Sequence, residues 1–386
     1  MNTKIIIGAD LVPTKSNYSL FRKGDTGTLI GADLENILYG ADFSIFNLEV
    51  PLTDENNPIV KCGPNLMAPT NTMTGLKKIN PHFFTLANNH ILDQGESGLL
   101  STIKCLENSG IDYSGVGANL EQAKKPYIKT IKGNKIGVYC CAEHEFSIAT
   151  DTKAGVNPFD PLESLDHVSN LKKECDYVIV LYHGGKEHYR YPSPNLQKTC
   201  RKLVERGADI VVCQHSHCVG CKEEWENGTI VYGQGNFLFD DCDNEFWNSS
   251  LLLVLDIQNG VKVEYIPIIK KNNCVEIAPE MEKNKIFNSF MERSNCIQST
   301  DFVKEEYAKL ALNEYDRYMN MLQGTRFSGL IFRIFNKLSG YRLAKYIIRK
   351  NYDMTEYAKI LNVLECEVHR ECFVEAIKLM SSNGLK

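Results

Sequence analysis

The chain has 386 residues, which is enough for one large domain or for a catalytic domain with a smaller appendage. Its apolar share of 43% and charged share of 24% are those of an ordinary soluble globular protein. A net charge of -5 gives no reason to expect nucleic-acid binding, because phosphate-tracking proteins carry a basic excess.

The first residues lead directly into a short apolar run at positions 5–7, too short for the core of a signal peptide. No stretch approaches the roughly 20 apolar residues needed to span a bilayer. The 14 cysteines could form disulfides, but in a long chain without an export signal we expect reduced thiols. These features predict a cytoplasmic protein.

The first two thirds of the chain alternate short β-branched runs with helix-like segments. Strands are predicted at residues 5–7, 43–46, 83–86, 136–139, 177–181, 210–212 and 230–232. Several of these runs are apolar throughout, as expected for strands covered on both faces. Helices are predicted at residues 98–109 and 196–206, a hairpin turn at Asn227-Gly228, and a closing antiparallel pair at residues 251–256 and 261–268. The fold class is therefore α/β, with a layered sheet and helices outside it.

After about residue 275 the strand runs give way to helical periodicity, at residues 302–322, 330–349 and 355–380. We therefore predict a catalytic domain over residues 1–275 and a helical appendage over residues 276–386. From Arg326 to Lys350 the sequence has seven basic residues, no acidic one and an apolar stripe, and Ser339-Gly340 predicts a break between two helices. We expect this segment to pack on the body or on a second subunit, with contact to an anionic membrane surface as the alternative.

Polar residues follow the predicted strands at the points where those strands end. They are Asp10, Glu49, Asn89, His183, His215 and His217. In an open α/β sheet, sites form beyond the carboxyl ends of the strands, so this convergence indicates one site. Oxygen and imidazole donors suit a pair of divalent manganese, iron or zinc ions, and the absence of thiolates argues against a purely structural zinc.

Each of these residues taken alone has an ordinary structural explanation. Asp10 by itself is typical of a turn or cap, and His183 of a hydrogen-bonded, half-buried histidine. The His215-x-His217 pair is expected to place both side chains on one face of an extended segment, which favours ligation. Their joint occurrence at successive strand ends favours the metal site.

These residues also belong to a set of motifs. The set comprises Gly8-Ala9-Asp10, Asn47-Leu48-Glu49, Ala87-Asn88-Asn89-His90 with Asp93 and Gly95, His183-x-Gly185-x-Glu187, Gly207-Ala208-Asp209 leading into His215-x-His217, and Gly235-Asn236-Phe237-x-Phe239-Asp240. In this order, over residues 1–270, the chain resembles the capsule-biosynthesis CapA (poly-γ-glutamate synthesis) family of the calcineurin-like metallophosphoesterase superfamily. The helical tail is not covered by the resemblance.

The resemblance implies a sandwich-like metallophosphoesterase core that uses two metals to activate water for attack on a phosphoester or related bond. It implies one metal held by Asp10 and His217, another by Asn89, His183 and His215, and Glu49 as the bridge. His90 would be the general acid or transition-state stabiliser, because imidazole titrates near neutral pH. His90, Asp10 and Glu49 are therefore the predicted catalytic residues.

Two positions depart from the wider superfamily. Val12 stands where a histidine is usual, and Glu49 stands where the bridging residue is usually aspartate. CapA-like sequences share both departures, and the absence of the histidine leaves the first metal with one protein ligand fewer.

Three further residues are predicted to contact substrate. Glu187 and Tyr189 lie in a proline-punctuated stretch that is either a substrate-contacting loop or an ordinary surface loop. Asn236 either orients a ligand histidine, contacts substrate or forms a turn. Lys61 could meet an anionic substrate, but we expect it to be solvated.

The implied substrate is an anionic polymer or a phosphorylated glycoconjugate of capsule, poly-γ-glutamate or cell-surface polysaccharide metabolism. One alternative is an amide hydrolase that acts on a γ-glutamyl polymer. The other is a non-catalytic metal-binding component of a synthesis or export assembly. Family members in that role usually carry a membrane anchor or export signal, so this sequence favours the soluble enzyme.

Overall fold

The computed structural model describes residues 2–239, 244–322 and 330–352, and only scattered residues beyond. The strands are β1 (Thr3–Leu11), β2 (Phe43–Leu48), β3 (Phe83–Thr85), β4 (Asp112–Ser114), β5 (Val116–Gly117), β6 (Tyr127–Ile131), β7 (Asn134–Ala142), β8 (Gly155–Val156), β9 (Tyr177–His183), β10 (Ile210–Gln214), β11 (Val219–Trp225), β12 (Gly228–Gln234), β13 (Asn236–Leu238), β14 (Ser249–Ile257), β15 (Val261–Lys271) and β16 (Cys274–Ile277). The helices are α1 (Tyr18–Lys23), α2 (Thr26–Leu29), α3 (Ala32–Tyr39), α4 (Met73–Lys78), α5 (Gly95–Ser109), α6 (Leu120–Ala123), α7 (Ser164–Glu174), α8 (Pro194–Glu205), α9 (Glu280–Cys296), α10 (Thr300–Leu322), α11 (Leu330–Leu338) and α12 (Arg342–Asn351), with a 3₁₀ turn at Thr70–Thr72.

Within the described chain, two large sheets carry the fold. The first has the order β16-β15-β14-β1-β2-β3-β4, with β13 also paired to β1, and the second has the order β11-β12-β10-β9-β7-β6. The strands β1 to β4 run parallel, as do β7, β9, β10 and β12 in the second sheet. Antiparallel strands form both edges of the second sheet, but only one side of the first sheet, whose other edge is the parallel strand β4.

One hydrophobic core joins the two sheets, and a second lies between the second sheet and its helices. Along β7 the side chains alternate between them: Val138 and Cys140 belong to the first core, Tyr139 and Cys141 to the second. This alternation follows from the two-residue period of a strand, and it explains why the buried strands are apolar throughout. The second core includes residues of α7 and α8, which confirms the layered α/β class.

All the predicted strands are confirmed, and so are the helices predicted near α5 and α8. The predicted hairpin is also confirmed, but its two turn residues are Glu226 and Asn227, because Trp225 faces Gly228 in the antiparallel pair β11–β12. The prediction omitted the short strands β4, β5, β8 and β13, and it also omitted three edge strands, β6, β11 and β16. These strands contain charged residues and lie at sheet edges, where one side is open to solvent and an apolar run is not required.

The chain divides into two compact units, Met1–Lys304 and Glu305–Lys386, whereas the sequence analysis divides it after residue 275. The first unit extends further because α9 packs against β11 and β15. Phe290 of α9 is completely buried, and Arg293 Nε donates to the backbone oxygen of Gly220 at 2.7 Å.

The second unit contains α11 and α12, separated at Ser339 and Gly340 as predicted. The helix predicted at residues 355–380 lies largely outside the described residues. No helix in the described part of the chain is long and apolar enough to cross a membrane.

Candidate metal centre

The predicted metal-binding residues converge where strands of both sheets end. Asp10 lies at the end of β1, Glu49 directly follows β2, Asn89 follows β3, His183 closes β9, and His215 and His217 follow β10. All six side chains are buried. His183 Nε2 lies 3.4 Å from Glu49 Oε1, and His217 Nδ1 lies 3.4 Å from Asp10 Oδ2, so the site joins the two sheets.

Two groups of donor atoms, each within 4.8 Å of one another, have the spacing of metal ligands. One is Glu49, His215 and His217, and the other is Asp10, Glu49 and His183. Glu49 belongs to both groups, as expected of a bridging residue. The groups divide the histidines differently from the resemblance, and Asp10 lies close to both His183 and His217. Which ligand holds which ion therefore remains a prediction.

Several buried electron-pair donors in this site have no hydrogen-bond partner among the described residues. They are Asp10 Oδ2, both carboxylate oxygens of Glu49, and His215 Nδ1. Leaving one such group unpaired costs about 1–3 kcal/mol, and more when it is charged. Cations placed among these atoms would satisfy them together, so the donor set fits divalent metal ions.

The electrostatics of the site point the same way. Burial and the neighbouring Asp10 carboxylate raise the pKa of Glu49 to about 8. Burial lowers the pKa of His183 to about 4. For His217 the effect of burial is outweighed by the Glu49 and Asp10 carboxylates, which raise its pKa to about 9. Protein groups alone therefore leave Glu49 short of positive charge, whereas for Asp10 the effect of burial is outweighed by the hydrogen bond and charge of His217, which lower its pKa.

Asn47 orients two of the candidate ligands, and the sequence analysis did not assign it a role. Its Nδ2 donates to Asp10 Oδ1 at 2.8 Å and lies 3.3 Å from His183 Nδ1. Its Oδ1 accepts from Asn88 Nδ2 at 3.0 Å. If Nδ1 accepts from this amide, the neutral ring of His183 carries its proton on Nε2, and a metal on Nε2 requires the other tautomer, with the proton on Nδ1. The sequence does contain a signal for this role, because Asn47 is a polar residue two places before Glu49, on the same face of the strand.

Glu145 orients the side chain of Asn89. Its Oε2 accepts from Asn89 Nδ2 at 2.7 Å, which turns Asn89 Oδ1 to within 3.1 Å of His183 Nε2. The amide oxygen of Asn89, Nε2 of His183 and the Glu49 carboxylate thus face the same small volume. Glu145 lies in the loop after β7, and nothing in its local sequence marks it.

His90 is held by a buried ion pair. His90 Nδ1 lies 2.6 Å from Asp93 Oδ2, and Lys61 Nζ pairs with Asp93 and lies 3.2 Å from His90 Nδ1. The expectation that Lys61 is solvated is wrong, since its side chain is 1% exposed. Asp93 is separated from Lys61 by 32 positions, and only the tertiary structure provides this partner for the ammonium group.

The segment that carries His215 and His217 is not extended, which corrects the sequence-based expectation. The two residues have φ values of +86° and +52°, in the left-handed region. Such conformations cost about 1–3 kcal/mol each and cluster at functional sites. Although the backbone bends, the two rings still meet, with centroids 5.9 Å apart.

The three predicted substrate contacts have different surroundings. Glu187 lies beside the centre with part of its surface exposed to solvent. Partial burial of its carboxylate acts to raise the pKa, but the charges of His215 and His217 outweigh this and lower it. Asn236 is buried and its Oδ1 lies 2.8 Å from His217 Nδ1, the arrangement expected of a residue that orients a ligand. The ring of Tyr189 packs on Tyr191 at 5.8 Å.

An aromatic wall borders the centre beside His217. It consists of His188, Phe239, Phe246 and Trp247, and the Trp247 ring lies 5.3 Å from the His217 ring. Trp247 Nε1 donates to His188 Nε2 at 2.9 Å. Because an indole N–H only donates, Nε2 of His188 is the acceptor, and the proton of the neutral ring lies on Nδ1. The sequence did not single out Trp247, which lies in the loop before β14.

Two curated relatives are similar to this chain. One is the capsule biosynthesis protein CapA of Bacillus anthracis, 28% identical over 65% of this chain and 64% of that protein. The other is the PGA biosynthesis protein CapA of Bacillus subtilis (strain 168), 29% identical over 61% of this chain and 63% of that protein. The chain thus spans less than two thirds of the length of these relatives.

Two solved structures show a distant likeness. A phosphatase from Mycoplasma pneumoniae is 17% identical, with a TM-score of 0.43 over 75% of this chain and 99% of that chain. The 5'-nucleotidase precursor of Thermus thermophilus is 13% identical, with a TM-score of 0.42 over 76% of this chain and 59% of that chain. TM-scores below 0.5 decide neither the fold nor the function of this chain.

The family model described as "Bacterial capsule synthesis protein PGA_cap" matches residues 4–241. This range contains every residue of the candidate centre, from Asp10 to Asn236. The match covers more than half of the chain. The chain therefore belongs to the bacterial capsule synthesis PGA_cap family.

Proposed function

We propose that this protein is a metal-dependent hydrolase of the calcineurin-like type. Its substrate would be a phosphoester or related bond in an anionic polymer or phosphorylated glycoconjugate, in capsule, poly-γ-glutamate or cell-surface polysaccharide metabolism. The observation that carries the proposal is the buried set of carboxylate and imidazole donors whose lone pairs face one another without hydrogen-bond partners in the described chain.

Six residues would hold two divalent ions, namely Asp10, Glu49, Asn89, His183, His215 and His217. Oxygen and imidazole donors suit manganese, iron or zinc. When bound, such ions supply Lewis-acid activation of a water and of the scissile group. Val12, where many phosphoesterases have a histidine, is buried among apolar side chains and offers no additional donor.

His90 would protonate the leaving group. The Asp93 carboxylate, 2.6 Å from Nδ1, orients the ring, so that Nε2 would be the atom that donates a proton to the departing oxygen. Lys61 contacts both groups and restrains Asp93 in this position. The three residues resemble the histidine–carboxylate pairs that orient a catalytic imidazole in other hydrolases.

The aromatic wall would form one side of the substrate site. With Nε2 occupied by Trp247, the Nδ1–H of His188 is the donor that remains for an oxygen of the substrate. Glu187, exposed nearby, would meet a hydroxyl or amide rather than a phosphate, since two anions repel one another.

A non-catalytic, metal-binding role in a synthesis or export assembly is the second candidate. The curated names of the two relatives refer to biosynthesis, which supports it. An amide hydrolase that acts on γ-glutamyl polymer would use the same residues and is a third candidate for the same site.

The test is metal content by elemental mass spectrometry on the purified protein and on His215→Ala. We expect close to two equivalents of transition metal, falling in the variant. His167→Ala is the control, because this histidine contacts Tyr139 on the outer face of the second sheet. The loaded protein is then assayed on phosphoesters and γ-glutamyl amides. Bound metal without turnover would favour the assembly role, and no metal after manganese reconstitution would overturn both metal-based proposals.

A further inference from the structure

The second unit carries an apolar stripe on α11 that the proposed function does not use. Ile331, Ile334, Phe335 and Leu338 have the i, i+3, i+4, i+7 spacing, so they share one face of the helix. Their exposed fractions are 71%, 50%, 58% and 77%. Single apolar residues are normal on a surface, whereas a continuous row of large ones marks an interaction site.

Basic residues accompany the stripe without any acidic counterpart. From residue 330 to residue 351 the sequence has six lysines and arginines and no aspartate or glutamate. Arg333 and Lys337 are exposed; relative to the stripe, Arg333 lies on the back of α11 and Lys337 on its side. This is the arrangement of a helix that lies on an anionic surface with its apolar face inward.

A short turn joins α11 to α12, and side chains before and within the turn cap the start of α12. Asn336 Oδ1 accepts from the backbone N–H of Ala344 at 3.0 Å, and Ser339 Oγ accepts from that of Leu343 at 3.1 Å. These bonds satisfy the first N–H groups of α12 and hold it against the end of α11. The cations of both helices therefore belong to one structural element.

We propose that α11 and α12 bind the surface of an anionic phospholipid bilayer. The stripe would enter the boundary between headgroups and acyl chains, while the cations meet lipid phosphates. A second copy of the chain would cover the stripe but would bring two sets of like charges together. An acidic polymer would pair with the cations, but it has no apolar surface to cover the stripe.

The element lies on the bilayer and does not cross it. With nine residues, α11 is about 14 Å long, against roughly 30 Å for the hydrocarbon core. Tyr341 and Tyr346 are 60% and 62% exposed, and tyrosine favours the interfacial region where one end of the side chain is apolar and the other is hydrated.

Co-sedimentation of the full chain with vesicles tests the proposal. We expect binding to phosphatidylcholine vesicles that contain about 30% phosphatidylglycerol, weaker binding as salt rises, and little binding to phosphatidylcholine alone. The triple variant R333Q/K337Q/R342Q should lower the partition coefficient about 100-fold, at about fivefold for each cation. The matched control is K262Q/K271Q/K283Q, which removes three exposed lysines from the first unit and should bind like the unchanged protein.

A second variant tests the stripe. Ile334→Gln with Phe335→Gln alters exposed side chains, so helical content by circular dichroism should be unchanged while binding falls about tenfold or more. Equal binding to both kinds of vesicle, no binding to either, or full binding by either variant would overturn the proposal. The proposal would also be overturned if the chain associated with itself in the absence of lipid and the double variant abolished that association. The stripe would then be an interface with a second copy of the chain.

Discussion

Replacing Asn47 with alanine should weaken metal binding although Asn47 is not a ligand. The substitution removes the 2.8 Å hydrogen bond to Asp10 Oδ1 and the amide that faces His183 Nδ1 at 3.3 Å. Loss of a partner that orients a ligand typically lowers metal affinity 10–100-fold, which is about 1.4–2.7 kcal/mol. The unpaired Asp10 oxygen should also lower the free energy of unfolding by about 1–3 kcal/mol.

Isothermal titration calorimetry with Mn²⁺ measures the affinity, and thermal unfolding without metal measures the stability. Asn134→Ala is the matched control: it removes a 2.8 Å bond from Asn134 Nδ2 to Thr3 Oγ1, at the opposite end of β1 from Asp10. The control should affect stability alone. If Asn47→Ala lost stability but kept its Mn²⁺ affinity, Asn47 would be a packing residue and the argument from ligand orientation would be refuted.

Three further predictions test the assignment of roles. His90→Ala should keep its metal and slow turnover about 10²–10⁴-fold, and loss of metal would instead make His90 a ligand. Glu49→Gln should lose both ions by elemental mass spectrometry, because both donor groups share Glu49; retention of a full complement would exclude the bridging role. A chain that ends at Lys304 should fold and bind metal. A chain that ends at residue 280 should melt at a lower temperature, since burial of Phe290 alone contributes about 1.5–3 kcal/mol; equal melting temperatures would contradict this.

The local sequence predicted the strands of the parallel centres well and the edges poorly. Strands such as β9 and β10 are buried on both faces, so their whole sequence is apolar and stands out. An edge strand such as β11 needs apolar residues on one side only. Its charged residues Lys222 and Glu224 interrupt the apolar run by which a buried strand is recognised. The first compact unit extends past residue 275 for a similar reason, because whether α9 packs on the sheet depends on a surface formed by distant residues.

The sequence by itself determined which donors could reach the candidate metal centre. Parallel strands end at the same edge of a sheet, so polar residues placed after apolar runs had to gather there. The tertiary structure decided how those donors are held and what surrounds them. Asn47 and His183 are 136 positions apart and meet only because the two sheets pack together. Lys61 is buried because Asp93 pairs with it, and Trp247 reaches His188 across a loop. Such contacts depend on the packing of whole layers, which no local pattern of residues encodes.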